Sequence, residues 1–545
     1  MKLLSIALAL VSALILVACS KAPEPPSANT TVARPQAETA AKAGELQRAA
    51  AHAEQTIAWA MGDVDLAFAK AKAEGKPLFL YWGAAWCPPC NEVKATIFTR
   101  QDFIERARAF VPVYVDGDSK GAQKLGTRFK VSGYPTMVLF TPDGRELTRL
   151  PGEVEPDRYM QVLTLGMNGA RPVKETLEMA LSKGGARAKL RPEDWRMLAW
   201  YSWETDESQV LDASTRPAAL QRLARACPAD QPQLATRLSL LALAAAAKAK
   251  GAKPRDDQAA AAMLLPLLAD PEQAREHFDL VVYYADDIAG NVTLPKSAER
   301  EKLVVAWTTA LERLAADPTL AQLDRLTALT AQVALAKLDT PKSAVPVVLQ
   351  QRVRDEAARA DRDTRDPYAR QSVISAAAEL LTDADLLVES DALLNAELAR
   401  SHSPYYFMLG LADNAKRRGD RAAAVDWAEK AYAASQGPAT RLQWGSKYVA
   451  LLVELTPQDA SRIERAAAQV IGDLEPSPDT FYERNQRALA RVGKNLAKWN
   501  KDNRHADAVR RLRAEMAGVC AKLPAGDPAR STCDRALKPG AAANA

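Results

Sequence analysis

Two cysteines are separated by two residues in one short stretch, Trp86-Cys87-Pro88-Pro89-Cys90. A pair of thiols at this spacing can close a small disulfide, open it again, and pass two electrons to or from another protein. The alternative chemistry is binding of copper or zinc, which would need additional soft or imidazole ligands. No histidine lies near the motif in sequence; the chain has His52, His277, His402 and His505. The pattern therefore favours a redox dithiol that needs no metal or other cofactor.

The segments around the motif predict the elements that position it. The short apolar and aromatic run at 77–82 is typical of a buried strand, and residues 91–98 continue from the motif as a helix. Further strands are predicted at 110–116, 136–140 and 146–150, and helices at 45–61, 65–74, 122–129 and 156–167. This alternation predicts one α/β domain with a mixed sheet over residues 45–170.

Residues 56–168 resemble a thioredoxin-fold domain. The resemblance depends on the motif itself, on Val115-Asp116, on Val131-Ser132-Gly133-Tyr134-Pro135-Thr136, and on Gly152. The stretch at 70–77, Lys-Ala-Lys-Ala-Glu-Gly-Lys-Pro, is similar to the periplasmic branch that includes the C-terminal domain of the DsbD reductase. A Cys-x-x-Cys pair alone is a weak signal, but one that follows a buried strand and precedes Tyr-Pro-Thr is a strong signal.

The resemblance implies a role for each site residue. Cys87 is the exposed attacking nucleophile at the mouth of a helix, where free N–H groups and the helix dipole favour a thiolate. Cys90 is the more buried resolving thiol, and Pro135 follows a cis peptide bond. The implied substrate-binding residues are Trp86, Tyr134, Pro135 and Thr136. One departure is that the strand before the motif lacks the acidic residue that thioredoxins bury beneath the dithiol.

The first residues carry an export pattern. Residues 1–18 form a short positive start and an apolar run too short to span a membrane, which predicts a signal peptide. Leu16-Val17-Ala18-Cys19 looks like a bacterial lipobox, so Cys19 is the expected site of lipidation, and Ser20 implies the periplasmic side of the outer membrane. An ordinary signal peptide with an incidental cysteine is the alternative. Residues 19–44 are rich in Pro, Ala, Ser and Thr and predict a flexible tether.

Composition narrows the remaining possibilities. A chain of 545 residues is expected to hold several domains, and a net charge of +5 is too small and dispersed to indicate nucleic-acid binding. Export to an oxidising compartment lets disulfides persist. Cys520 and Cys533 flank a Pro/Gly turn and are candidates for a structural disulfide, which leaves Cys227 either buried or free.

Residues 171–545 predict helices only, arranged as packed hairpins over a domain at 171–390 and a second at 391–545. Within the second, Tyr405 to Ser435 has small residues at helical spacing and Gly419-Asp420 at the turn, which resembles a tetratricopeptide repeat. A generic helical bundle with a chance match is the alternative. The aromatic cluster of Trp195, Trp200, Tyr201 and Trp203 is expected in a core rather than at a docking surface.

Two hypotheses for function follow. The first is an exported lipoprotein thiol–disulfide oxidoreductase that acts on periplasmic proteins with thiols or disulfides and is driven by an inner-membrane electron donor. The second is a helical-repeat interaction lipoprotein in which the thioredoxin fold is a docking or redox-sensing module.

Overall fold

A computed structural model describes residues 57–152, 154–169 and 171–538. The predicted signal peptide, Cys19 and the tether lie outside the described residues. Within them, one mixed sheet has the strand order β1-β3-β2-β4-β5. The strands are β1 (Ala60–Met61), β2 (Leu78–Gly83), β3 (Val111–Asp116), β4 (Thr136–Phe140) and β5 (Glu146–Leu150).

Two of the interior strands, β2 and β4, are buried along their whole length, as expected for a sheet with helices on both faces. β2 pairs in parallel with β3, with Leu80 opposite Val113, and antiparallel with β4, with Leu80 opposite Val138. β4 and β5 form an antiparallel hairpin. The sheet thus places the end of β2, where the Cys-x-x-Cys motif begins, beside the start of β4.

Five helices accompany the sheet: α1 (Val64–Glu74), α2 (Pro88–Thr96), α3 (Gln101–Arg106), α4 (Ala122–Phe129) and α5 (Pro156–Met167). Helix α1 ends at Gly75, whose left-handed backbone (φ 64°) suits a C-cap that glycine adopts without strain. The α/β class and mixed sheet predicted from the sequence are confirmed. The prediction was wrong at Ala60–Met61, which pairs with β3 as a short strand instead of ending a helix, and it missed α3.

In the described part of residues 171–538 the regular elements are helices, as predicted. They are α6 (Val173–Leu181), α7 (Pro192–Trp200), α8 (Arg216–Ala226), α9 (Pro232–Ala247), α10 (Gln258–Ala269), α11 (Pro271–Glu276), α12 (Phe278–Tyr283), α13 (Ala285–Val292), α14 (Ala298–Ala316), α15 (Gln322–Lys337), α16 (Val347–Asp363), α17 (Pro367–Asp383), α18 (Leu387–Glu397), α19 (Pro404–Arg417), α20 (Arg421–Ala434), α21 (Pro438–Leu455), α22 (Ala460–Gly472), α23 (Glu483–Trp499), α24 (Ala506–Ala521) and α25 (Pro528–Arg535). No helix in the described residues is both long and apolar enough to span a bilayer.

The sheet and the first helices after it share one hydrophobic core. Phe79 and Leu139 of the sheet belong to the same buried cluster as Leu198 of α7 and Leu238 of α9. The aromatic cluster at 195–203 is buried in this core, as expected. Because the core continues across the end of α5, the α/β part and the helices that follow it are packed as one body.

Helices α19 and α20 form the hairpin predicted at 405–435. Asp420 caps α20 by accepting from the N–H of Ala423, and Gly419 turns the chain with φ 80°. The small residues Ala412, Ala415, Ala424 and Ala428 are buried where the helices meet. The hairpin has the expected form, and its membership of a tetratricopeptide array stays a prediction.

Candidate functional site

Cys87 is the residue that caps α2. The first two positions of the helix are Pro88 and Pro89, which have no N–H, so the first available helical donor is Cys90. The N–H of Cys90 points at Cys87 Sγ at 3.2 Å. Cys87 and Cys90 are joined by a disulfide with a Cα–Cα distance of 5.2 Å. When the bond is reduced, this donor and the helix N-terminus would favour a thiolate on Cys87.

The space beneath the dithiol contains a tyrosine and a glycine. A Cβ on Gly83 would lie 3.5 Å from Cys90 Sγ and only 2.7 Å from the Tyr81 hydroxyl oxygen. The Tyr81 hydroxyl donates to the carbonyl of Cys90 at 3.5 Å. A tyrosine hydroxyl of β2 therefore lies next to Cys90, and the strand has no acidic residue.

Asn91 fixes the loop that carries the motif. Its side-chain amide donates to the carbonyl oxygens of Ala85 and Cys87, both at 2.9 Å, and the residue is fully buried. These two bonds satisfy carbonyls at the start of α2 and hold Cys87 against the helix.

The Tyr134-Pro135 peptide bond is cis. Thr136, the next residue, donates from its hydroxyl to the Gly133 carbonyl at 2.9 Å and begins β4. Cys87, Cys90 and Ala84 form a small buried cluster against which the rings of Trp86 and Tyr134 pack. The structure therefore brings the motif and the Tyr-Pro-Thr segment together, as the resemblance implies.

Tyr134 is enclosed by neighbouring side chains and does not border an open groove. Its hydroxyl accepts from Gln123 Nε2 at 3.0 Å, and a Cβ on Gly117 would collide with that hydroxyl. Burial raises the pKa of the phenol to about 12, so it remains protonated. The ring is covered on its other side by the Arg484 guanidinium, 4.5 Å from the ring centroid.

Helices from residue 367 onward lie directly over the dithiol. The covering face consists of Ser372, His402, Tyr406, Thr440, Trp444 and Arg484. His402 Nε2 lies 3.0 Å from the Ala85 carbonyl, and the Trp86 indole N–H donates to Thr440 Oγ1 at 2.7 Å. The Trp86 ring is also stacked on Tyr406 and meets Trp444 edge-on, with centroid distances of 6.1 and 4.9 Å.

The expectation that Cys87 is exposed was wrong. Its residual exposure is 2 %, and that of Cys90 is 0 %. Trp86 and Tyr134 pack directly against the cysteines. Over Trp86 lies the covering face, which belongs to a part of the chain hundreds of residues away in sequence.

Several ionisable groups at this junction are shifted by burial. Burial raises the pKa of Asp118 to about 6, although Thr440 donates to its carboxylate from both N–H and hydroxyl, at 2.8 and 2.5 Å. Burial also raises the pKa of Glu92, whose carboxylate accepts from Ser372 Oγ at 2.6 Å. Burial and two nearby arginines lower the pKa of Lys447 to about 8. The junction is therefore rich in polar groups that have lost most of their water.

Fold and site together define a thioredoxin-like domain with an oxidised Cys-Pro-Pro-Cys centre. Residues 64–166 match the family model of the thioredoxin-like domain. The chain thus carries such a domain, followed by a large helical region.

Among curated proteins, the chain is similar to the thiol:disulfide interchange protein DsbD 2 of Pseudomonas aeruginosa, with 28 % identity over 129 residues, which are 23 % of this chain and 22 % of that protein. It is also similar to DsbD of Actinobacillus pleuropneumoniae, with 33 % identity over 95 residues, 17 % of this chain and 16 % of that protein. The chain therefore spans about a fifth of the length of these relatives. A thioredoxin structure from Thermus thermophilus matches with 26 % identity and a TM-score of 0.18, over 19 % of this chain and 85 % of that one.

The sequence contains no local signal for the covering face. His402 is far from the motif in sequence, yet its Nε2 contacts the Ala85 carbonyl in the motif's own loop. Asp118 lies two residues after the end of β3, and this position just past a strand end is a local signal for a site residue. For Thr440 and Arg484 no local pattern distinguishes them from other helical surface residues.

The three other cysteines among the described residues do not belong to the buried cluster around the dithiol. Cys520 of α24 and Cys533 of α25 are joined by a disulfide with a Cα–Cα distance of 5.6 Å. Cys227 is free and partly exposed, and burial raises the pKa of its thiol to about 11, so it is a poor nucleophile.

Proposed function

We propose that this chain is a thiol–disulfide oxidoreductase in which Cys87 attacks and Cys90 resolves. The observation that carries the proposal is the position of Cys87 Sγ at the N-terminus of α2, with the Cys90 N–H directed at it and the cis Tyr134-Pro135 segment beside it. The matches to the thioredoxin-like family model and to thiol:disulfide interchange proteins support the same chemistry.

The proposed reaction starts from the reduced dithiol. The Cys87 thiolate attacks one sulfur of a partner disulfide, so that a mixed disulfide forms and the other partner sulfur leaves as a thiolate, which takes a proton. The Cys90 thiol loses its proton and attacks Cys87 Sγ, which releases the second partner thiolate. Two electrons pass to the partner, and the Cys87–Cys90 disulfide seen in the structure is formed. A dithiol donor is then needed to reduce it again.

Residues next to the dithiol are proposed to bind the partner. In this role the backbone around Tyr134 and Pro135 pairs with an extended segment of the partner, and Trp86 and Thr136 shape the site. The support is their position: Trp86 and Tyr134 pack against the cysteines, and Thr136 anchors the start of β4.

The setting of the reaction is also a proposal. The export pattern at residues 1–18 and the lipobox ending at Cys19 support a lipoprotein in the periplasm, anchored to the outer membrane. Its partners would be periplasmic proteins with thiols or disulfides, and its reductant an inner-membrane electron donor. Helical domains at 171–390 and 391–545, the latter tetratricopeptide-like, would position these partners.

The function is tested with the soluble full-length chain and insulin as a disulfide substrate, in the presence of a dithiol reductant. Catalysed reduction is expected from the wild type, and Cys87→Ser should reduce it to the uncatalysed rate. Cys227→Ser is the matched control and should retain the wild-type rate. In cells, Cys90→Ala should accumulate mixed disulfides on Cys87 that disappear on reduction. Equal rates for wild type and Cys87→Ser would refute the proposal.

One observation favours the second candidate function, an interaction lipoprotein with a redox-sensing module. The helical region covers the dithiol. A change in the redox state of the dithiol would therefore alter its contacts with those helices. The two functions differ in cells. Cells that lack the chain are given a variant in which both Cys87 and Cys90 are replaced by serine. If this variant restores the wild-type phenotype fully, the interaction role is the correct one.

A further inference from the structure

Three loops of the α/β domain surround the dithiol, and each is hydrogen-bonded to the helical region. The loop before the motif is contacted by His402 at the Ala85 carbonyl. The loop after β3 is contacted by Thr440 at the Asp118 carboxylate. The loop before the cis bond is contacted by Arg484, which donates to the Ser132 carbonyl at 3.3 Å. The approaches to Cys87 from all three loops are therefore occupied.

The covering face comes from separate helices rather than from one flexible segment. Ser372 lies on α17, Tyr406 on α19, Thr440 and Trp444 on α21, and Arg484 on α23. These helices carry their own buried cores. The face can therefore leave the dithiol as a unit, with its internal packing kept, instead of unfolding residue by residue.

The junction combines several separate hydrogen bonds with the packing of the Trp86 ring on Tyr406 and Trp444. Thr440 bridges Trp86 and Asp118, Ser372 bonds Glu92, and Arg484 bonds a backbone carbonyl. Polar junctions between parts of one chain resemble transient interfaces and permit relative motion. The sheet also shares a continuous apolar core with α7 and α9, and that contact is expected to stay closed.

Thiol–disulfide exchange cannot take place in the closed arrangement. The attacking sulfur must reach bonding distance of a partner's disulfide. At 2 % exposure, under the Trp86 ring and the helices, Cys87 offers no path for a protein disulfide. A partner can therefore react only when the covering face has separated from the dithiol. The separation either precedes binding of the partner or is caused by it.

We propose that the covering face is a built-in lid of the redox centre, and that exchange with partner proteins requires it to lift from the Trp86, Asp118 and Ser132 loops. This inference rests on the proposed function and adds its regulation: the position of the helical region controls whether a partner can reach the dithiol.

The test measures access to the Cys87–Cys90 disulfide itself, so that no partner is needed. The full-length oxidised chain is mixed with a phosphine reductant, and thiols are trapped with an alkylating reagent and counted by mass against time. Thr440→Val removes both bridging bonds at once, and the rate is expected to rise about tenfold or more. Ser372→Ala, on another helix, is expected to raise it by a smaller factor.

The matched control is Thr456→Val at the other end of α21, where the threonine hydroxyl bonds only its own helix, at the Leu452 carbonyl. Its reduction rate should equal that of the wild type. Circular dichroism checks that each variant is folded. Because Ser372 lies outside α21, a misfolded Thr440→Val would still leave Ser372→Ala to decide the question.

The outcomes separate the lid from the function. If the wild-type disulfide is reduced as fast as an unhindered model disulfide, and Thr440→Val and Ser372→Ala change nothing, the lid is refuted even if insulin is reduced. If both variants speed the phosphine reaction but no form reduces insulin, the lid stands and the oxidoreductase proposal fails.

Discussion

At the scale of single residues, Asp118 is an ionisable group whose pKa depends on its contacts with the covering face. Its carboxylate lies between two Thr440 donors, with Asp116 on its own loop and the Arg484 guanidinium and Tyr405 phenol on the helices that face it. Burial is the largest effect on it and raises its pKa to about 6. Its protonation state is thus tied to whether the covering face is in place.

The sign of this coupling follows from the direction of the pKa shift. A carboxyl whose pKa is raised in the closed form holds its proton more tightly there, so the protonated group stabilises closure at low pH. That contribution is lost as the pH rises through about 6, and the change in opening is at most on the order of 100-fold. His402 acts in the opposite direction, because burial lowers its pKa and its protonation favours opening.

We therefore compare the wild type with Asp118→Asn, a variant in which the side chain at position 118 can no longer ionise. The phosphine reduction rate of the wild type, divided by that of Asp118→Asn, is expected to be near one at about pH 4 or below, to rise between about pH 4 and pH 6, and to level off above that range. A ratio that is flat across this range would show that Asp118 does not sense closure. A model disulfide measured at each pH corrects for the reductant itself.

At the scale of elements, the sequence predicted the α/β domain closely. Helix α4, strands β4 and β5, and helix α5 begin and end at the predicted residues, because hydrophobic period and flanking turn residues are local signals. The two-residue strand β1 was missed because its pairing with β3 is decided by tertiary contact. The covering face was missed for the same reason: no local signal tells where a distant helix will pack.

The start of α21 offers an element-scale test of the junction. Gly437 precedes the helix with φ 85°, and a Cβ there would lie 2.4 Å from Asp118 Cγ. Gly437→Ala is expected to push the Asp118 loop away and to raise the phosphine reduction rate about tenfold. It should also destabilise the chain by about 1 kcal/mol through its backbone strain.

Gly419→Ala is the matched control for that change. Gly419 also has a positive φ, 80°, but nothing lies within 4 Å of its added Cβ, so its replacement brings backbone strain without the collision. It is expected to lose similar stability and to keep the wild-type reduction rate. Equal acceleration in both variants would mean that general loosening, not contact with Asp118, opens the site.

At the scale of the whole molecule, the α/β domain is held through two contacts of different character. One contact is the covering face, with its hydrogen bonds and the packing on Trp86, and the other is the shared apolar core together with the side chain of Arg149. This arginine is 0 % exposed on β5, pairs with Glu146 and donates to the Phe129 carbonyl and to the Thr205 carbonyl beyond α7. It therefore links the sheet, α4 and the helical region.

Arg149→Met is expected to lower the free energy of unfolding by about 3–5 kcal/mol, because Glu146 and several carbonyls lose a buried partner. Urea unfolding followed by far-ultraviolet circular dichroism measures this. Arg145→Met is the control: Arg145 pairs with Asp143 and Glu175 at the surface, and its loss should change the free energy of unfolding far less than the loss of Arg149. Similar losses for both variants would show that Arg149 is not a structural centre.

Trp86 lies between Tyr406 and Trp444, with Tyr134 nearby and the cysteine disulfide at its base. Aromatic rings fixed at close range in an asymmetric setting give strong near-ultraviolet circular dichroism, which disappears when tertiary packing is lost. The chain thus contains its own optical reporter at the place where its halves meet. Movement at the redox centre can be followed by light, without any label attached to the cysteines.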